Sequence, residues 1–236
     1  NFKINFDQLE SSINENTSLI IINFPSNPIG GVISKKDMEI LVSILEKYPN
    51  IKILSDEIYS RILYDNAEFI SLLEYPQLKD RVIILDGWSK TYAMTGWRIG
   101  YGVWPKEYAH IAEQLNINSF SCTNTSTQFA AIEALQGPQV SVELMISEFD
   151  KRRKIMIKQL NEIKGFECSN SKGAFYLFPS IKKTGLKSNE MENILLNEIG
   201  IAAVSGNSFG KFGEGYIRFS YANSEENIRL ALQKIK

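Results

Sequence analysis

Three short runs of apolar residues, each followed by polar or glycine-rich sequence, dominate the first half of the chain. They are SLIIINF (18–24), IKILS (51–55) and RVIILD (81–86). Their apolar residues are continuous and do not alternate with polar ones, which is typical of strands buried on both faces of a parallel sheet. Between the first two runs, residues 35–48 carry apolar side chains at helical spacing, and Ser34 is a suitable N-cap. This βαβ pattern predicts a parallel α/β sheet.

Helical patterns continue beyond the third run, and short strand patterns then appear between further helices. Further helices are predicted over 107–115, 125–136, 141–163, 188–199 and 224–235, and further strands over 173–179, 201–206 and 216–222. The pair Gly137-Pro138 interrupts the helical part. We therefore predict an α/β domain over residues 1–138 and a smaller α+β domain over residues 139–236. The charged run DKRRK (150–154) is interpreted as a solvated helix face.

Composition and charge narrow the classes of function. The 236 residues include 26 Lys and Arg against 27 Asp and Glu, and this formal net charge of −1 argues against a nucleic-acid or anionic-membrane partner. No apolar run reaches the roughly 18 residues that span a bilayer. The cysteines, Cys122 and Cys168, are isolated in the sequence, which fits a reducing cytoplasm. A single histidine, His110, excludes a multi-histidine metal site, and we expect no metal and no catalytic role for it.

Chemically distinctive residues follow each of the three apolar runs. The segments concerned are FPSNPIGG, SDEIYS and DGWSKTYAMTGWRIGY. In open parallel sheets, ligands bind outside the carboxyl ends of the strands. The sequence therefore predicts a site at this edge that contains an amide, a carboxylate, a phenol, a lysine and an arginine, namely Asn27, Asp56, Tyr59, Lys90 and Arg98.

Together these segments resemble the class I and II aminotransferases, which depend on pyridoxal 5'-phosphate and have fold type I. SNPIGG resembles the family's Asn-Pro-Thr-Gly element, SDEIY its Asp-x-x-Tyr element, SKTYAMTGWRIGY its cofactor-lysine segment and YIRFSYA its C-terminal arginine strand. The resemblance runs from about residue 4 to the end. It implies an α/β fold, with part of the cofactor-binding large domain followed by a small C-terminal α+β domain.

The resemblance implies a role for each matching residue around the cofactor ring. Lys90 would bind the cofactor aldehyde covalently and carry the proton of the substrate α-carbon, so that no histidine is required. Asp56 would pair with the pyridine nitrogen and favour its protonated form. Tyr59, one helical turn after Asp56, and Asn27 would donate to the phenolic oxygen.

Two arginines would hold the anionic groups. Arg98, assisted by Ser89, would bind the cofactor phosphate through its planar guanidinium. Arg218 would bind the α-carboxylate of the substrate, which Asn27 would also contact. The alternative for Arg218 is a structural ion pair, because an arginine in an apolar strand needs a partner.

The chain departs from the family pattern at two positions. Ile29 stands where the family has threonine, which removes a hydroxyl, and Gly87 stands where the family often has serine or a similar donor. The phosphate would therefore rely on groups elsewhere. The resemblance also implies a cis peptide bond between Asn27 and Pro28.

The implied activity is transfer of an amino group from an L-amino acid to a 2-oxo acid, by a protein that forms a homodimer when full length. Two alternatives stay open: a pyridoxal-phosphate-dependent lyase, such as a carbon–sulfur lyase, and a non-catalytic fragment or the effector-binding domain of a regulator. The Asn-Pro element lies near the middle of chains in this family, so the resemblance also implies that a large N-terminal portion is absent. We therefore expect weak cofactor binding and little activity from the 236 residues alone.

Overall fold

In the computed structural model, which describes residues 3–236, the chain divides into two compact units. The sheet unit comprises Lys3–Pro25 and Val32–Val142, and the C-terminal unit comprises Ser26–Gly31 and Glu143–Lys236. Gly137 and Pro138 lie in the sheet unit in this division. The six residues Ser26–Gly31 belong to a different unit from the sequence on either side of them, which the hydrophobic pattern does not reveal.

The predicted helices and strands occur in the predicted order. The α-helices are α1 (Phe6–Ser12), α2 (Lys35–Glu46), α3 (Trp88–Thr91), α4 (Lys106–Phe120), α5 (Thr125–Gln136), α6 (Val140–Glu162), α7 (Ser188–Asn197) and α8 (Glu225–Ile235). The strands are β1 (Leu19–Asn23), β2 (Lys52–Asp56), β3 (Val82–Gly87), β4 (Gly100–Val103), β5 (Tyr176–Leu177), β6 (Val204–Ser205) and β7 (Ile217–Ser220). Helices α1 and α3 and strand β4 are additional to those predicted. Short 3₁₀ turns span Leu72–Glu74, Pro76–Leu78, Thr95–Trp97, Lys182–Thr184, Gly206–Phe209 and Lys211–Gly213.

The sheet unit is built on a four-stranded sheet in the order β1-β2-β3-β4. The pairs β1–β2 and β2–β3 are parallel, as predicted, and their register places Asn23 beside Asp56 and Asp56 beside Leu85. The α/β prediction is therefore confirmed. Strand β4 is antiparallel to β3 and was not predicted, because its sequence GYGV is exposed along its length and contains no apolar run.

Helix α2 covers the core of the sheet unit. Ser34 caps it as predicted, and its hydroxyl oxygen accepts a hydrogen bond from the Asp37 N–H at 3.1 Å. Leu41 and Leu45 of this helix are buried against Ile53 of β2, in the cluster that also contains Leu72 and Leu78. Burial of these side chains removes apolar surface from water and stabilises the sheet on which the polar residues stand.

The C-terminal unit contains an antiparallel sheet in the order β5-β7-β6. Its strands are shorter than predicted, because the residues before β5 form a turn in which Ala174 has a φ of +56°. Tyr221 fixes this turn, since its buried hydroxyl donates to the Ala174 carbonyl at 3.0 Å. Phe149 of α6 packs against Phe175 and Tyr221, with ring centroids 5.4 and 6.2 Å away.

The charged run on α6 does not behave as one solvated face. Lys151 and Lys154 are exposed, as predicted, but Arg153 is only 1% exposed. The interpretation of the whole run as solvated is therefore wrong at Arg153. In the described part of the chain, no helix is long and apolar enough to cross a membrane.

Candidate active site

Asp56 is the last residue of β2 and stands at the carboxyl end of the parallel strands. Its carboxylate accepts a hydrogen bond from the Ile58 N–H at 3.2 Å, and the residues that follow form turns. The helical spacing expected between Asp56 and Tyr59 is therefore wrong, because the side chain of Asp56 closes a local turn. Tyr59 is buried immediately beyond this turn.

Lys90 lies in the short helix α3, directly after β3. The buried indole of Trp88 anchors this helix, since its Nε1 donates to the Ala131 carbonyl at 3.1 Å. Burial raises the pKa of Asp56, while the hydrogen bond from Ile58 and the positive charge of Lys90 oppose that rise. The structure thus brings Lys90 and Asp56 within electrostatic reach, and Lys90 is itself half-buried.

Two further carboxylates lie at this end of the sheet, and sequence reasoning did not select them. Burial raises the pKa of Asp86, against hydrogen bonds from the Gly87 N–H at 2.6 Å and the hydroxyls of Ser60 and Tyr101 at 3.3 and 3.4 Å. The charge of Asp56 raises the pKa of Asp86 further. The signal was present in the sequence, because Asp86 ends an apolar strand.

Glu57 is the other additional carboxylate, and its setting is structural. Burial raises its pKa, but its oxygens accept hydrogen bonds from Ser55 at 3.0 Å and from Ser71 at 2.9 and 3.0 Å. Ser71 in turn caps the 3₁₀ turn Leu72–Glu74. Glu57 therefore joins β2 to the chain that follows it, and its partners satisfy it within the fold.

Gly87 is a glycine because β3 and β4 approach each other closely beside it. A Cβ added at this position would lie 2.9 Å from the Gly100 Cα and 3.0 Å from the Ile99 carbonyl oxygen. A side-chain donor at position 87 would therefore require one of these strands to shift. The departure from the family pattern noted in the sequence has a packing cause in this chain.

Arg98 follows the 3₁₀ turn Thr95–Trp97 in a left-handed conformation, with a φ of +52°. Its side chain is exposed, and its Nη1 donates to the Thr95 carbonyl at 2.9 Å. It lines a polar cleft together with residues at the start of α5, namely Thr123, Asn124, Ser126 and Thr127. Ser89 is half-buried on α3.

Arg218 and Asn27 meet within the C-terminal unit. Arg218 Nη1 donates to Asn27 Oδ1 at 2.9 Å, across 191 positions of sequence. Because this oxygen accepts from the guanidinium, the amide orientation of Asn27 is fixed, with its NH₂ group as the donor side. The peptide bond between Asn27 and Pro28 is cis, as expected, and the bond between Phe24 and Pro25 is also cis.

The surroundings of Arg218 are aromatic and not acidic. Its guanidinium carbon lies 4.6 Å from the ring centroid of Tyr176 and 5.1 Å from that of Phe209. Within residues 3–236, Arg218 forms no ion pair, and its buried Nε has no hydrogen-bond partner. The structural ion pair considered for Arg218 is therefore not found in this part of the chain.

The donor set fits the groups of pyridoxal phosphate and an amino acid. Asp56 is a half-buried carboxylate that accepts a hydrogen bond from the Ile58 N–H, and it can also accept one from a protonated ring nitrogen. Arg218 has an unpaired Nε–H and two flanking aromatic rings, which suit a planar carboxylate. The single histidine of the sequence, His110, is exposed on α4.

The burial of Asp56 predicts a stability difference that depends on pH. Because its pKa is raised on folding, the folded state holds the proton more tightly, and the wild type loses stability as pH rises above the unfolded pKa of about 4. In the Asp56→Asn variant this loss is absent, and the charge that raises the pKa of Asp86 is also removed. The free energy of unfolding of the variant should therefore increase relative to the wild type as the pH rises above about 4.

Urea denaturation of the two proteins across this pH range measures the difference. Asp80→Asn, in an exposed turn, is the matched control for the loss of one carboxylate. A stability difference between Asp56→Asn and the wild type that stays constant with pH would contradict the raised pKa of Asp56.

Comparison with known proteins agrees with the fold. A family model described as aminotransferase class I and II matches residues 1–235. An aspartate aminotransferase of Pyrococcus abyssi is 39% identical over the whole chain, and an aromatic-amino-acid aminotransferase of Thermococcus litoralis is 37% identical. The crystal structure of an aromatic aminotransferase from Pyrococcus horikoshii superposes with a TM-score of 0.95 at 38% identity, over 99% of this chain and 63% of that one.

The chain spans about 60% of the length of the curated relatives that it matches. Within that span, the match is continuous from the first strand to the last helix, so the resemblance of the four motifs extends to the whole sequence. The chain belongs to the class I and II aminotransferase family.

Proposed function

We propose that the chain carries the cofactor lysine and the substrate arginine of a pyridoxal-phosphate-dependent aminotransferase, which moves an amino group from an L-amino acid to a 2-oxo acid. The observation that carries this proposal is the position of Lys90 in the field of the half-buried Asp56 carboxylate, at the carboxyl end of parallel strands. An amine and a carboxylate in this arrangement suit covalent attachment of an aldehyde cofactor and charge stabilisation of its ring.

Asp56 holds a positive charge in place. Burial makes its charged form unfavourable unless a cation lies nearby, and Lys90 already lowers its pKa in part. A protonated pyridine nitrogen would be a second cation for the same carboxylate. When bound, pyridoxal phosphate supplies an electron sink for the substrate.

Lys90 has two tasks in the proposed reaction. Its Nζ would hold the cofactor aldehyde in the resting enzyme, with loss of water, and would carry the proton of the substrate α-carbon. The anchoring of α3 through Trp88 limits the movement of the backbone from which Lys90 extends. The side chain therefore moves the proton while the helix stays in position.

The remaining residues bind and orient. Tyr59 and Asn27 would donate to the phenolic oxygen, and Arg98 and Ser89 would bind the phosphate, to which the hydroxyls beside Arg98 in its cleft would add donors. Arg218 and Asn27 bind the substrate carboxylate. The unpaired Nε of Arg218 supports this role, because a carboxylate would satisfy a buried donor that nothing in residues 3–236 satisfies.

We further propose that the full-length protein acts as a homodimer in the cytoplasm. Large apolar side chains on α4 and α5, including Phe120 and Phe129, are exposed in this chain, and such surface is usually covered. Both cysteines are free, which is consistent with a reducing compartment. Light scattering of the full-length protein tests the assembly: a mass of two chains is expected, and a monomeric mass at assay concentration would contradict it.

Lys90 is the residue on which covalent attachment depends. Borohydride reduction of the full-length protein with pyridoxal phosphate should leave the pyridoxyl group on Lys90, and Lys90→Ala should lower transamination by at least about a thousandfold, since the covalent step and the proton shuttle are both lost. Peptide mass spectrometry locates the adduct. The matched control is Lys52→Ala on β2, which should keep both the adduct and the activity.

Substrate assays of the same full-length protein separate the proposed activity from a lyase. L-Aspartate and L-tyrosine with 2-oxoglutarate are the first substrates to assay, because the relatives named above are aspartate and aromatic aminotransferases. An adduct on another lysine would overturn the assignment of Lys90. Release of pyruvate from cystathionine without transamination would favour the carbon–sulfur lyase.

Arg218 should control the affinity for substrate carboxylates. Replacement of Arg218 by Gln removes the charge and should raise KM for the amino acid and the oxo acid by about 10- to 100-fold, the range expected for loss of a charge-assisted contact. Steady-state kinetics measure this. Arg229→Gln on α8, whose guanidinium pairs with Glu225 at 2.8 Å, is the control. Unchanged KM values in Arg218→Gln would remove the arginine from the substrate site.

A further inference from the structure

Arg153, within the charged run on α6, is the centre of a buried hydrogen-bond network. It is 1% exposed, and one side of its guanidinium binds within its own helix. Its Nε and Nη2 donate to Asp150 Oδ1 at 2.9 and 2.6 Å. Asp150 also accepts from the exposed Lys154 at 2.7 Å, so the carboxylate has a second cationic partner at the surface.

The other side of the guanidinium reaches out of the helix to the segment 170–173. Arg153 Nη1 donates to the Ser171 carbonyl at 2.6 Å and also to Asn170 Oδ1. A guanidinium can bind Asp150 on one side and the segment 170–173 on the other, because its N–H donors point in several directions within one plane. The single ammonium group of a lysine cannot reach both partners.

The segment 170–173 in turn holds the carbonyl of Gly30. The N–H groups of Lys172 and Gly173 both donate to the Gly30 oxygen at 3.0 Å. Gly30 has a φ of +62°, and a Cβ added there would lie 2.5 Å from Ser171 Cβ and 2.7 Å from the Gly173 carbonyl oxygen. The two backbones therefore approach as closely as a glycine allows, and a shift of one must move the other.

Gly30 belongs to the closed turn Ser26–Gly31, which carries Asn27. The Ser26 N–H donates to the Gly31 carbonyl at 2.9 Å, the Gly30 N–H donates to the Ser26 carbonyl at 2.8 Å, and the Gly31 N–H donates to Ser26 Oγ at 3.0 Å. From this turn, Asn27 Oδ1 accepts the hydrogen bond of Arg218. Hydrogen bonds and backbone contacts thus connect Arg153 to the Asn27–Arg218 pair.

We propose that Arg153 is a positioning residue for the Asn27–Arg218 pair, acting through the segment 170–173 and the turn Ser26–Gly31. It has no contact with the proposed substrate itself. Without the guanidinium of Arg153, the buried Ser171 carbonyl would lose its donor, and the segment 170–173 would shift toward other partners. The kinetic part of this inference rests on the proposed function, whereas the mechanical part does not.

Hydrogen exchange of the full chain without cofactor tests the mechanical part. In Arg153→Lys, which keeps the charge but loses the guanidinium, the amides of Lys172 and Gly173 and of the turn Ser26–Gly31 should exchange at least about tenfold faster. Amides of α8 provide the internal reference. The matched control is Lys154→Met, which removes the exposed partner of Asp150 and should leave the turn unchanged.

Steady-state kinetics of the full-length holoenzyme test the consequence for substrate. Arg153→Lys should raise KM for L-aspartate or L-tyrosine about tenfold, with a smaller change in kcat, because the carboxylate site is loosened and Lys90 is untouched. In the double variant with Asn27→Ala, the increase in KM should fall clearly below the product of the two single increases. Lys154→Met should keep the KM of the wild type.

Faster exchange confined to 170–173, with the turn Ser26–Gly31 unchanged, would overturn the proposal. Multiplicative effects on KM would also overturn it, since they would show that Arg153 stabilises the fold without acting through Asn27. If Arg153→Lys does not fold, Asn170→Ala removes one acceptor of the guanidinium, and the same criterion for the turn applies. A wild type without transaminase activity would contradict the proposed function, but the exchange result would still decide whether the connection exists.

Discussion

Parallel pairing of β1, β2 and β3 is the constraint on which the arrangement of the sheet unit depends. Parallel strands run in the same direction, so the carboxyl ends of neighbouring strands lie at the same edge of the sheet. The register places Asn23, Asp56 and Leu85 side by side there. The polar residues at the end of β2 and just after β3, Asp56 and Lys90, therefore lie at the same edge of the sheet unit although they are far apart in sequence.

The same burial that forms the sheet makes its edge electrostatically unfavourable. The pKa values of Asp56, Glu57 and Asp86 are all raised, with desolvation as the largest cause. The fold satisfies Glu57 with hydroxyl donors and Asp86 with a backbone amide, whereas Asp56 has one backbone donor and the charge of Lys90. Residues that lower stability in this way are commonly retained where they serve a reaction.

The elements predicted best from sequence are those whose signal is local. Continuous apolar runs identified β1 to β3, and helical periodicity with a capping serine identified α2. Strand β4 was missed because its pairing is set by a neighbour and not by its own glycine-rich sequence. The burial of Arg153 was missed for a similar reason, since nothing in the run DKRRK shows which side chain meets another part of the chain.

The candidate site also contains contacts that the sequence predicts and contacts that it does not. The meeting of Asp56 and Lys90 followed from strand ends, because it needs only the topology of the sheet. The pairing of Asn27 with Arg218 joins positions 191 residues apart, and no local pattern encodes it. The aromatic partners of Arg218, Tyr176 and Phe209, depend on the same long-range packing. The motifs selected the candidate residues, and tertiary structure determined which of them touch.

The assignment of Ser26–Gly31 to the C-terminal unit makes that unit discontinuous in sequence. The chain leaves the sheet unit for six residues, returns, and leaves again after Val142. A genetic exchange of Glu143–Lys236 between homologues would thus transfer Arg218 but leave its amide partner in the recipient. Such chimaeras would combine a turn Ser26–Gly31 and a segment 170–173 that had not diverged together. For the unit to remain intact, the turn would have to be exchanged together with the C-terminal part.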